Sequence, residues 1–377
     1  MRRLTLAALG LAACTSAQQP AATPSVGTLP FVATPVADFD APWAMTFLPD
    51  GRMLVTEEDG RLILASADGR TKRVAATLPV DNAGQGGLHD VVLAPDFAKS
   101  RRVYLSWSEA GEGGKGIVLA RGTLSGARDA EMLTGVEVIF RARPYVTGNG
   151  HYSGRIAFSP DGKHLFFANG ERQKFTPAQD PQATLGKMLR LTLDGKPAPG
   201  NPLASQGFAP EVWSYGHRNL LGIAFDARGN LWEQEMGPQG GDELNLIQPG
   251  RNYGYPKVSN GRNYGAATDD IPDHKPGDGY EAPKVYWGES ETISPGGLMI
   301  YSGRLFPAWK GDAFIGGLSS KALIRVDIDG TNARKGDQWD MGARIREVEQ
   351  GPDGAIWVLE DGGRGSQGRL LKLTPRK

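Results

Sequence analysis

The sequence has a single cysteine, Cys14, among its 377 residues, and its charges of opposite sign cancel. One thiol cannot form an intramolecular disulfide, and no C-x-x-C-H motif is present for covalent attachment of haem. The 42 Lys and Arg residues balance the 42 Asp and Glu residues, so the chain lacks the basic excess that nucleic-acid binding requires. These shortages exclude a disulfide-rich scaffold and argue against a nucleic-acid-binding protein.

Several common catalytic motifs are also absent. No G-x-G-x-x-G motif follows a strand within a βαβ unit, which disfavours an enzyme that uses a nicotinamide or flavin cofactor. No G-x-S-x-G elbow carries a serine nucleophile. The stretch GEGGKG at residues 111–116 lacks the spacing of a phosphate-binding P-loop and is typical of a hairpin tip. Amphipathic helical patterns do not alternate with the strands, which argues against a doubly wound α/β fold.

Residues 1–14, MRRLTLAALGLAAC, have the pattern of a targeting segment. A pair of arginines precedes an apolar run at residues 4–13, which is too short to span a bilayer. The residues before Cys14 resemble a bacterial lipobox, which predicts lipidation of that cysteine; an ordinary signal peptide cut near Ala17 is the alternative. Residues 15–29 are small and polar and are predicted to form a flexible tether. We therefore expect an exported, periplasmic protein, attached to the membrane only through a lipid on Cys14.

One pattern recurs along the rest of the chain: an apolar pair, a turn of the Pro-Asp-Gly kind, and a second apolar run. Proline presets φ, aspartate bonds to nearby backbone and glycine accepts positive φ, so each copy predicts a β-hairpin. The six copies, one of them looser, occupy residues 45–58, 91–107, 156–170, 223–237, 299–317 and 348–361. Six repeated sheets of short strands predict an all-β fold, a six-bladed β-propeller over residues 30–377; a pair of β-sandwiches is the alternative.

The spacing of the copies widens after the third, where residues 171–187 and 251–297 are additional. Long ordered loops on a rigid scaffold commonly carry binding and catalytic residues. We therefore expect both additions to be loops on one face of the propeller, beside the functional site.

The stretch NGHYSGR at residues 149–155 places His151 among small residues. A histidine that packs for stability more often has bulky apolar neighbours, whereas small neighbours let a ligand come close. A neutral imidazole whose pKa lies near the working pH is suited to accept a proton. His151 is therefore a candidate general base, and a structural histidine at the start of a strand is the alternative.

Six polar stretches lie between the predicted strands, at residues 84–90, 149–155, 214–222, 235–247, 252–256 and 344–354. Taken in order, they resemble the motifs of the soluble sugar dehydrogenases that depend on pyrroloquinoline quinone (PQQ), specifically the aldose sugar dehydrogenase branch, over about residues 30–375. The resemblance implies a six-bladed propeller that binds PQQ with calcium and oxidises the C1 hydroxyl of an aldose to the lactone. It also implies that His151 is the catalytic base and that Glu171 orients it.

The same resemblance implies a set of cofactor contacts. Gln85 matches a family glutamine that contacts PQQ, and Arg218 with Asn219 matches the pair beside the cofactor. Guanidinium groups suit PQQ because it carries three carboxylates and an orthoquinone. Arg344 and Arg346 match a second arginine pair, which at this spacing would project to one side of a strand.

Two further contacts are implied with departures from the family pattern. Tyr264 matches a PQQ contact in a loop that varies within the family. Ser319 stands where the family often has a lysine after the strand FIGGL. Lys321 would share a face with that position if both lay on a strand, so we expect Lys321 to replace the missing cation if the loop shifts.

Calcium is implied by MGPQGGDELN at residues 236–245. In the family, main-chain carbonyls of a Gly-Pro pair help to hold the metal, and these correspond to Gly237 and Pro238. Glu243 and the main-chain oxygen of Tyr253 match a further calcium site. Calcium accepts both backbone and carboxylate oxygens, so the chemistry is adequate.

Two other functions stay open at this stage because a fold does not fix a function. A six-bladed propeller can be a calcium-dependent lactonase-type hydrolase, or it can be a binding module without catalysis. A lactonase would rely on acidic calcium ligands and would not need arginines around an anionic cofactor. For the dehydrogenase, the expected partners are an aldose sugar and an external electron acceptor, a quinone or a cytochrome.

Overall fold

The computed structural model of the chain describes residues 29–264 and 270–376. Cys14 and the predicted targeting segment therefore lie outside the described residues. Within them the strands are β1 (Phe31–Asp38), β2 (Pro42–Phe47), β3 (Met53–Glu57), β4 (Arg61–Ala65), β5 (Lys72–Thr77), β6 (Leu88–Leu93), β7 (Arg102–Gly111), β8 (Gly114–Ser125), β9 (Met132–Arg141), β10 (Ser153–Phe158), β11 (His164–Asn169), β12 (Lys187–Thr192), β13 (Val212–Tyr215), β14 (Leu220–Phe225), β15 (Leu231–Glu235), β16 (Gln239–Gly240), β17 (Asp242–Ile247), β18 (Gly261–Arg262), β19 (Val285–Trp287), β20 (Pro295–Ile300), β21 (Ala313–Gly317), β22 (Ala322–Asp329), β23 (Asn332–Asp340), β24 (Ile345–Gln350), β25 (Ile356–Glu360) and β26 (Arg369–Pro375). The helical elements are α1 (Phe97–Ser100) and 3₁₀ turns at Thr176–Ala178, Ala204–Gln206, Glu289–Glu291 and Pro307–Trp309.

Six antiparallel sheets of four strands form the blades. They are β2–β5, β6–β9, β10–β13, the set β14, β15, β17 and β19, β20–β23, and β24–β26 with β1; strands β16 and β18 form a separate two-stranded ribbon. The first strands of the blades (β2, β6, β10, β14, β20 and β24) contact one another in a closed ring. The fold is a six-bladed β-propeller, as the sequence predicted.

Each predicted hairpin joins the first and second strands of one blade. Strands β2 and β3 pair across the turn that contains Gly51, and β24 and β25 pair across the turn that contains Gly354. These glycines have φ values of 87° and 88°, which residues with a side chain rarely adopt. The recurring turn therefore marks the junction between the first two strands of each blade.

The ring is closed by the two ends of the described chain. Strand β1 forms the outer edge of the last blade and pairs antiparallel with β26, from Phe31 opposite Pro375 to Asp38 opposite Arg369. The hairpin pattern does not predict this pairing, because the partners lie more than 300 residues apart and share no local signal.

The core lies between neighbouring blades. The second strands β3 and β25 are buried along their whole length, because each faces a blade on both sides. One core cluster joins the first two blades through residues such as Trp43, Leu54, Leu105 and Trp107. Burying each side chain of this size stabilises the fold by roughly 1.5–3 kcal/mol.

Arg155 of β10 occupies the centre of the ring. Its Nε donates to the carbonyl of Leu221 at 2.7 Å, and its Nη1 forms ion pairs with Asp90, at 3.4 Å, and with Glu347. Its guanidinium carbon lies 4.1 Å from the ring centroid of Trp43. These partners lie on β14, β6, β24 and β2, which are the first strands of four other blades. One buried cation therefore holds five of the six blades together.

The two additional segments differ in character. Residues 171–187 form a loop with one 3₁₀ turn, as predicted, except that Lys187 already belongs to β12. Residues 251–297 are only partly a loop, because they contain β18, β19 and the start of β20. The prediction missed β19, the outer strand of the fourth blade, because three residues are too few to show a strand pattern. No helix in the described part of the chain is long and apolar enough to cross a membrane.

Candidate functional site

A cavity of about 380 Å³ lies on the face that carries the two additional segments. Its volume falls within the range of small-molecule sites. The predicted site residues that line it are Gln85, His151, Glu171, Arg218, Gly237, Pro238 and Tyr264. The sequence motifs thus converge on one cavity although their residues lie far apart along the chain.

His151 stands at the wall of this cavity, immediately before β10. Its φ is 50°, and the backbone of Ser153 is also left-handed at 59°. The backbone N–H of His151 donates to the side-chain oxygen of Gln85 at 2.7 Å. Gly170 packs so close that an added Cβ would lie 2.1 Å from the His151 carbonyl oxygen. Gly170, which lies outside the NGHYSGR motif, therefore lets the chain pack tightly against the left-handed backbone that carries the histidine.

Glu171 fixes the other side of the imidazole. The Nδ1 atom of His151 lies 2.5 Å from Oε1 of Glu171, whose side chain is fully buried. The same carboxylate accepts the backbone N–H groups of Gln173, Lys174 and Phe175 at 3.0, 2.6 and 2.7 Å. A carboxylate bonded to Nδ1 requires the proton on that nitrogen, so the lone pair of the ring lies on Nε2.

The electrostatics agree with this arrangement. Burial lowers the pKa of His151, and the hydrogen bond to Glu171 offsets only part of that effect. Burial raises the pKa of Glu171, but the hydrogen bond from His151 and those from the backbone outweigh it and lower this pKa. At neutral pH the pair is therefore a neutral imidazole beside an ionised carboxylate, and Nε2 can accept a proton.

Arg218 lies across the cavity with part of its hydrogen-bonding capacity unused. Its Nη1 donates to the carbonyls of Met236 and Gly237 at 2.9 and 2.5 Å. Its Nε is buried and has no acceptor among the described residues. Asn219 is buried and does not line the cavity; its Oδ1 accepts a hydrogen bond from Ser153.

Arg344 and Arg346 converge as their spacing predicts, but on a carboxylate of the protein. Nε of Arg344 donates to Oδ2 of Asp361, and Nη2 of Arg346 donates to Oδ1 at 2.8 Å. Burial raises the pKa of Asp361, but the two arginines outweigh it and lower this pKa. Neither arginine lines the cavity, and Nε of Arg346 is buried without an acceptor in the described chain.

Lys321 does not lie on a strand. Strand β21 ends at Gly317 and β22 begins at Ala322, so Ser319 and Lys321 both belong to the turn between them. The predicted shared face was wrong, because alternation of faces requires extended backbone and Lys321 has a φ of 53°. Its side chain is exposed and does not line the cavity, so its contact with PQQ stays a prediction that the cavity does not support.

The two carbonyls of the Gly-Pro pair accept hydrogen bonds from side chains. The Gly237 carbonyl accepts from Arg218, and the Pro238 carbonyl accepts from the hydroxyl of Tyr264 at 3.2 Å. Asp242 holds this segment, since its Oδ1 accepts the Gly237 N–H at 3.1 Å. The carbonyls thus line the cavity beside a guanidinium, and a metal bound there would have to compete with it.

Glu243 and Tyr253 line a second, smaller cavity of about 10 Å³, enough for one water-sized group. Glu243 and Glu235 both offer carboxylates to it. Nδ2 of Asn245 lies 3.1 Å from a carboxylate oxygen of Glu233 and 3.4 Å from an oxygen of each of the other two acids. Burial, together with the charge of Glu235, raises the pKa of both Glu233 and Glu243.

Sequence reasoning missed several residues of the main cavity, among them Phe175 and Tyr255. Phe175 follows the stretch NGERQ by two residues and Tyr255 lies within NYGYP, but neither type of residue signals a site by itself. Asp242 also lines this cavity, and its side chain is buried. Its Oδ2 accepts three hydrogen bonds from Thr292, Ile293 and Ser294, which join the fourth and fifth blades beside the site.

The chain resembles known proteins over most of its length. The glucose/sorbosone dehydrogenase family matches residues 39–372. Aldose sugar dehydrogenase YliI of Escherichia coli (strain K12) is 42% identical over 348 residues, which cover 89% of this chain and 91% of the relative.

Solved structures extend the comparison to the fold. The soluble aldose sugar dehydrogenase of Escherichia coli in its apo form has a TM-score of 0.85 at 38% identity and covers 92% of this chain and 100% of its own. The PQQ-bound aldose sugar dehydrogenase of Streptomyces coelicolor has a TM-score of 0.76 at 30% identity, with coverage of 95% and 100%. The family identified from the motifs is confirmed: this chain belongs to the glucose/sorbosone dehydrogenase family.

Proposed function

We propose that this protein oxidises the C1 hydroxyl of aldose sugars to the lactone, with PQQ as the oxidant, calcium as the metal and His151 as the general base. The observation that carries the proposal is the buried His151–Glu171 pair, which leaves a basic Nε2 at the wall of a cavity of about 380 Å³. Family membership supports the same reaction class, and a relative has been solved with PQQ bound.

The residues around the cavity fit an anionic cofactor. Arg218 lines it, and its buried Nε has no acceptor among the described residues; the buried Nε of Arg346, which does not line the cavity, has none either. An unpaired buried donor is costly, so a ligand whose charge draws these guanidinium groups into new hydrogen bonds would remove that cost. Gln85 and Tyr264 would complete the contacts from the cavity wall, and Arg344 would act beside Arg346.

Calcium fits best at the smaller cavity. Glu243 and Glu235 bring carboxylates together there, and no Lys or Arg side chain of the described residues forms an ion pair with either acid. Arg218 also lines this cavity but supplies only one positive charge for the two acids, and a hard cation takes carboxylate and backbone oxygens, so calcium would supply the remaining counter-charge. Glu243 and the main-chain oxygen of Tyr253 would hold one ion, and the carbonyls of Gly237 and Pro238 would contribute at the main cavity.

The position of the proton acceptor, Nε2 of His151, determines the first step of the proposed reaction. The Nε2 atom of His151 takes the proton of the C1 hydroxyl, and the C–O bond gains double-bond character as the C1–H bond breaks. PQQ, when bound, supplies the quinone that accepts the hydride with its electron pair. Glu171 stabilises the imidazolium that forms, because its carboxylate already holds Nδ1–H. The electrons then pass to an external acceptor.

The targeting pattern at residues 1–14 indicates where in the cell the protein would act. We expect the protein to act outside the cytoplasm, tethered by residues 15–29 and by a lipid on Cys14. Metabolic labelling with a radioactive fatty acid tests this, with Cys14→Ser as the matched control. Equal labelling of both forms would contradict lipidation at this cysteine.

A reconstitution experiment tests the function itself. Purified apoprotein is titrated with PQQ and calcium while glucose-dependent reduction of an artificial dye is followed, and a panel of aldoses is then compared. We expect a saturable activity that a chelator removes. No oxidation of any aldose by the folded protein, together with calcium-dependent hydrolysis of lactones, would replace the proposal with the lactonase.

A further inference from the structure

Phe175 presents a large apolar ring to the main cavity. The residue is 45% exposed, and it lines the same cavity as His151. A solitary exposed aromatic on a protein surface has no special meaning, but one in the wall of a cavity that is otherwise rich in polar groups offers a flat apolar contact to a ligand.

The backbone at Phe175 is held in a rare conformation. Its φ is 60° and its ψ is −73°, and the N–H of Thr176 donates to the carbonyl of Lys174 at 2.7 Å. This is the γ-turn with positive φ, which is strained and uncommon, the more so for a bulky residue. A relaxed backbone would aim the side chain elsewhere, so the turn determines the direction of the ring.

Two buried ionisable side chains hold this turn and the 3₁₀ turn that follows it. The Glu171 carboxylate accepts the N–H groups of Lys174 and Phe175, so it fixes the turn as well as the imidazole of His151. On the far side, the ammonium of Lys187 donates to the carbonyls of Pro177 and Ala178 at 2.6 and 3.0 Å. The direction of the Phe175 ring is therefore tied to the position of the base through one shared carboxylate.

The ring also has support from behind. Its centroid lies 6.3 Å from that of Tyr255, with an angle of 26° between the planes. Tyr255 is buried, and the guanidinium carbon of Arg218 lies 5.9 Å from its ring centroid. The exposed part of Phe175 is thus the outer layer of a stack that ends inside the protein.

We infer that Phe175 is a substrate-positioning residue that stacks against the C–H face of a pyranose ring while Nε2 of His151 meets the C1 hydroxyl. The face of an aromatic ring is partly negative and attracts the positively polarised C–H hydrogens on one side of a cyclic sugar. The inference rests on the proposed function and narrows its substrate class. Cyclic aldopyranoses are favoured over acyclic polyols, which have no flat C–H face.

The test compares Phe175→Leu with Phe175→Trp and with a matched control, Tyr286→Leu. Tyr286 is 38% exposed and does not line the cavity. In the reconstituted enzyme we expect Phe175→Leu to raise KM for glucose about tenfold with a smaller effect on kcat, and Phe175→Trp to retain most of the affinity. The midpoint of the PQQ titration is expected to stay unchanged in all three variants.

A binding measurement separates this inference from the proposed function. Methyl β-glucopyranoside has no free C1 hydroxyl, so its binding to the PQQ- and calcium-treated protein, followed by saturation-transfer NMR, does not depend on oxidation. We expect Phe175→Leu to weaken this binding and Tyr286→Leu to leave it unchanged. If Phe175→Leu weakens the binding but the parent protein oxidises no aldose, the proposed reaction is refuted and the role of Phe175 in sugar binding is retained. If Phe175→Leu and the parent bind equally well, the role of Phe175 in sugar binding is refuted.

Discussion

The carboxylate of Glu171 binds one ring nitrogen of His151, Nδ1, and leaves the other, Nε2, available for proton transfer. Nδ1 is bound to the carboxylate at 2.5 Å, while Nε2 has no hydrogen-bond partner among the described residues. Since Glu171 is itself held by three backbone N–H groups, the imidazole has little freedom to turn. The pair is therefore preorganised to accept a proton from a group in the cavity.

The first prediction concerns the base. His151→Gln is expected to lower kcat/KM for glucose by about 10²- to 10⁴-fold, because glutamine cannot accept the hydroxyl proton. PQQ binding should be unchanged. His164→Gln is the matched control, since His164 on β11 does not line the cavity. Steady-state kinetics and a PQQ titration check both statements, and equal turnover in His151→Gln would refute the assignment.

The second prediction is a pH profile. Catalysis needs neutral His151, so kcat/KM is expected to be full at neutral pH and to fall as the pH drops through the pKa of His151. Burial lowers this pKa, so the midpoint should lie below the ordinary value of about 6.5. Glu171 favours the imidazolium, so Glu171→Gln should move the midpoint to still lower pH as well as reduce the plateau. A shift to higher pH would contradict the role of the carboxylate.

The third prediction concerns cofactor retention. Arg344→Ala is expected to weaken PQQ binding about ten- to a hundredfold, as for the loss of a hydrogen bond to a charged group. Arg334→Ala is the control, because Arg334 is an exposed arginine in an ion pair with Asp327 on the last two strands of the fifth blade. Fluorescence titration of the apoprotein with PQQ measures both. An unchanged dissociation constant for Arg344→Ala would show that the arginine pair only stabilises Asp361.

The fourth prediction concerns calcium. Calcium is expected to raise the Tm of the parent protein, because it binds the folded state and neutralises the buried acids around Glu243. Glu243→Gln should reduce this rise, whereas Glu112→Gln, a substitution of an exposed acid, should not. Thermal unfolding with and without calcium measures the effect. A full calcium response in Glu243→Gln would place the metal elsewhere.

The sequence predicted the features that depend on local chemistry. Six hairpins could be recognised because proline, aspartate or glycine, in varying combinations, recurs within a few residues of each turn. The convergence of Gln85, His151 and Arg218 was predicted from motifs whose residues the propeller brings to one face. The pairing of β1 with β26 could not be predicted in this way, because the contact joins distant parts of the chain.

Other features could not be predicted from the sequence, and the reasons are again physical. Phe175 gave no signal, since its positive φ is supported by hydrogen bonds from the backbone of Lys174 and Phe175 to Glu171 rather than by the preference of phenylalanine itself. Lys321 was assigned strand geometry although it lies in a turn. The ion pair between Arg155 and Glu347 spans 192 positions and joins the third blade to the sixth, and no short stretch of sequence encodes it.

The Arg155 cluster has a consequence for turnover. Arg155, Asp90 and Glu347 are buried where the inner strands meet, so the centre of the ring is filled at that level. A molecule in the main cavity cannot leave along the axis, so under the proposed function the sugar and its lactone would use the same mouth. Exchange of one for the other would then be strictly sequential, and accumulated lactone would compete with the sugar for entry.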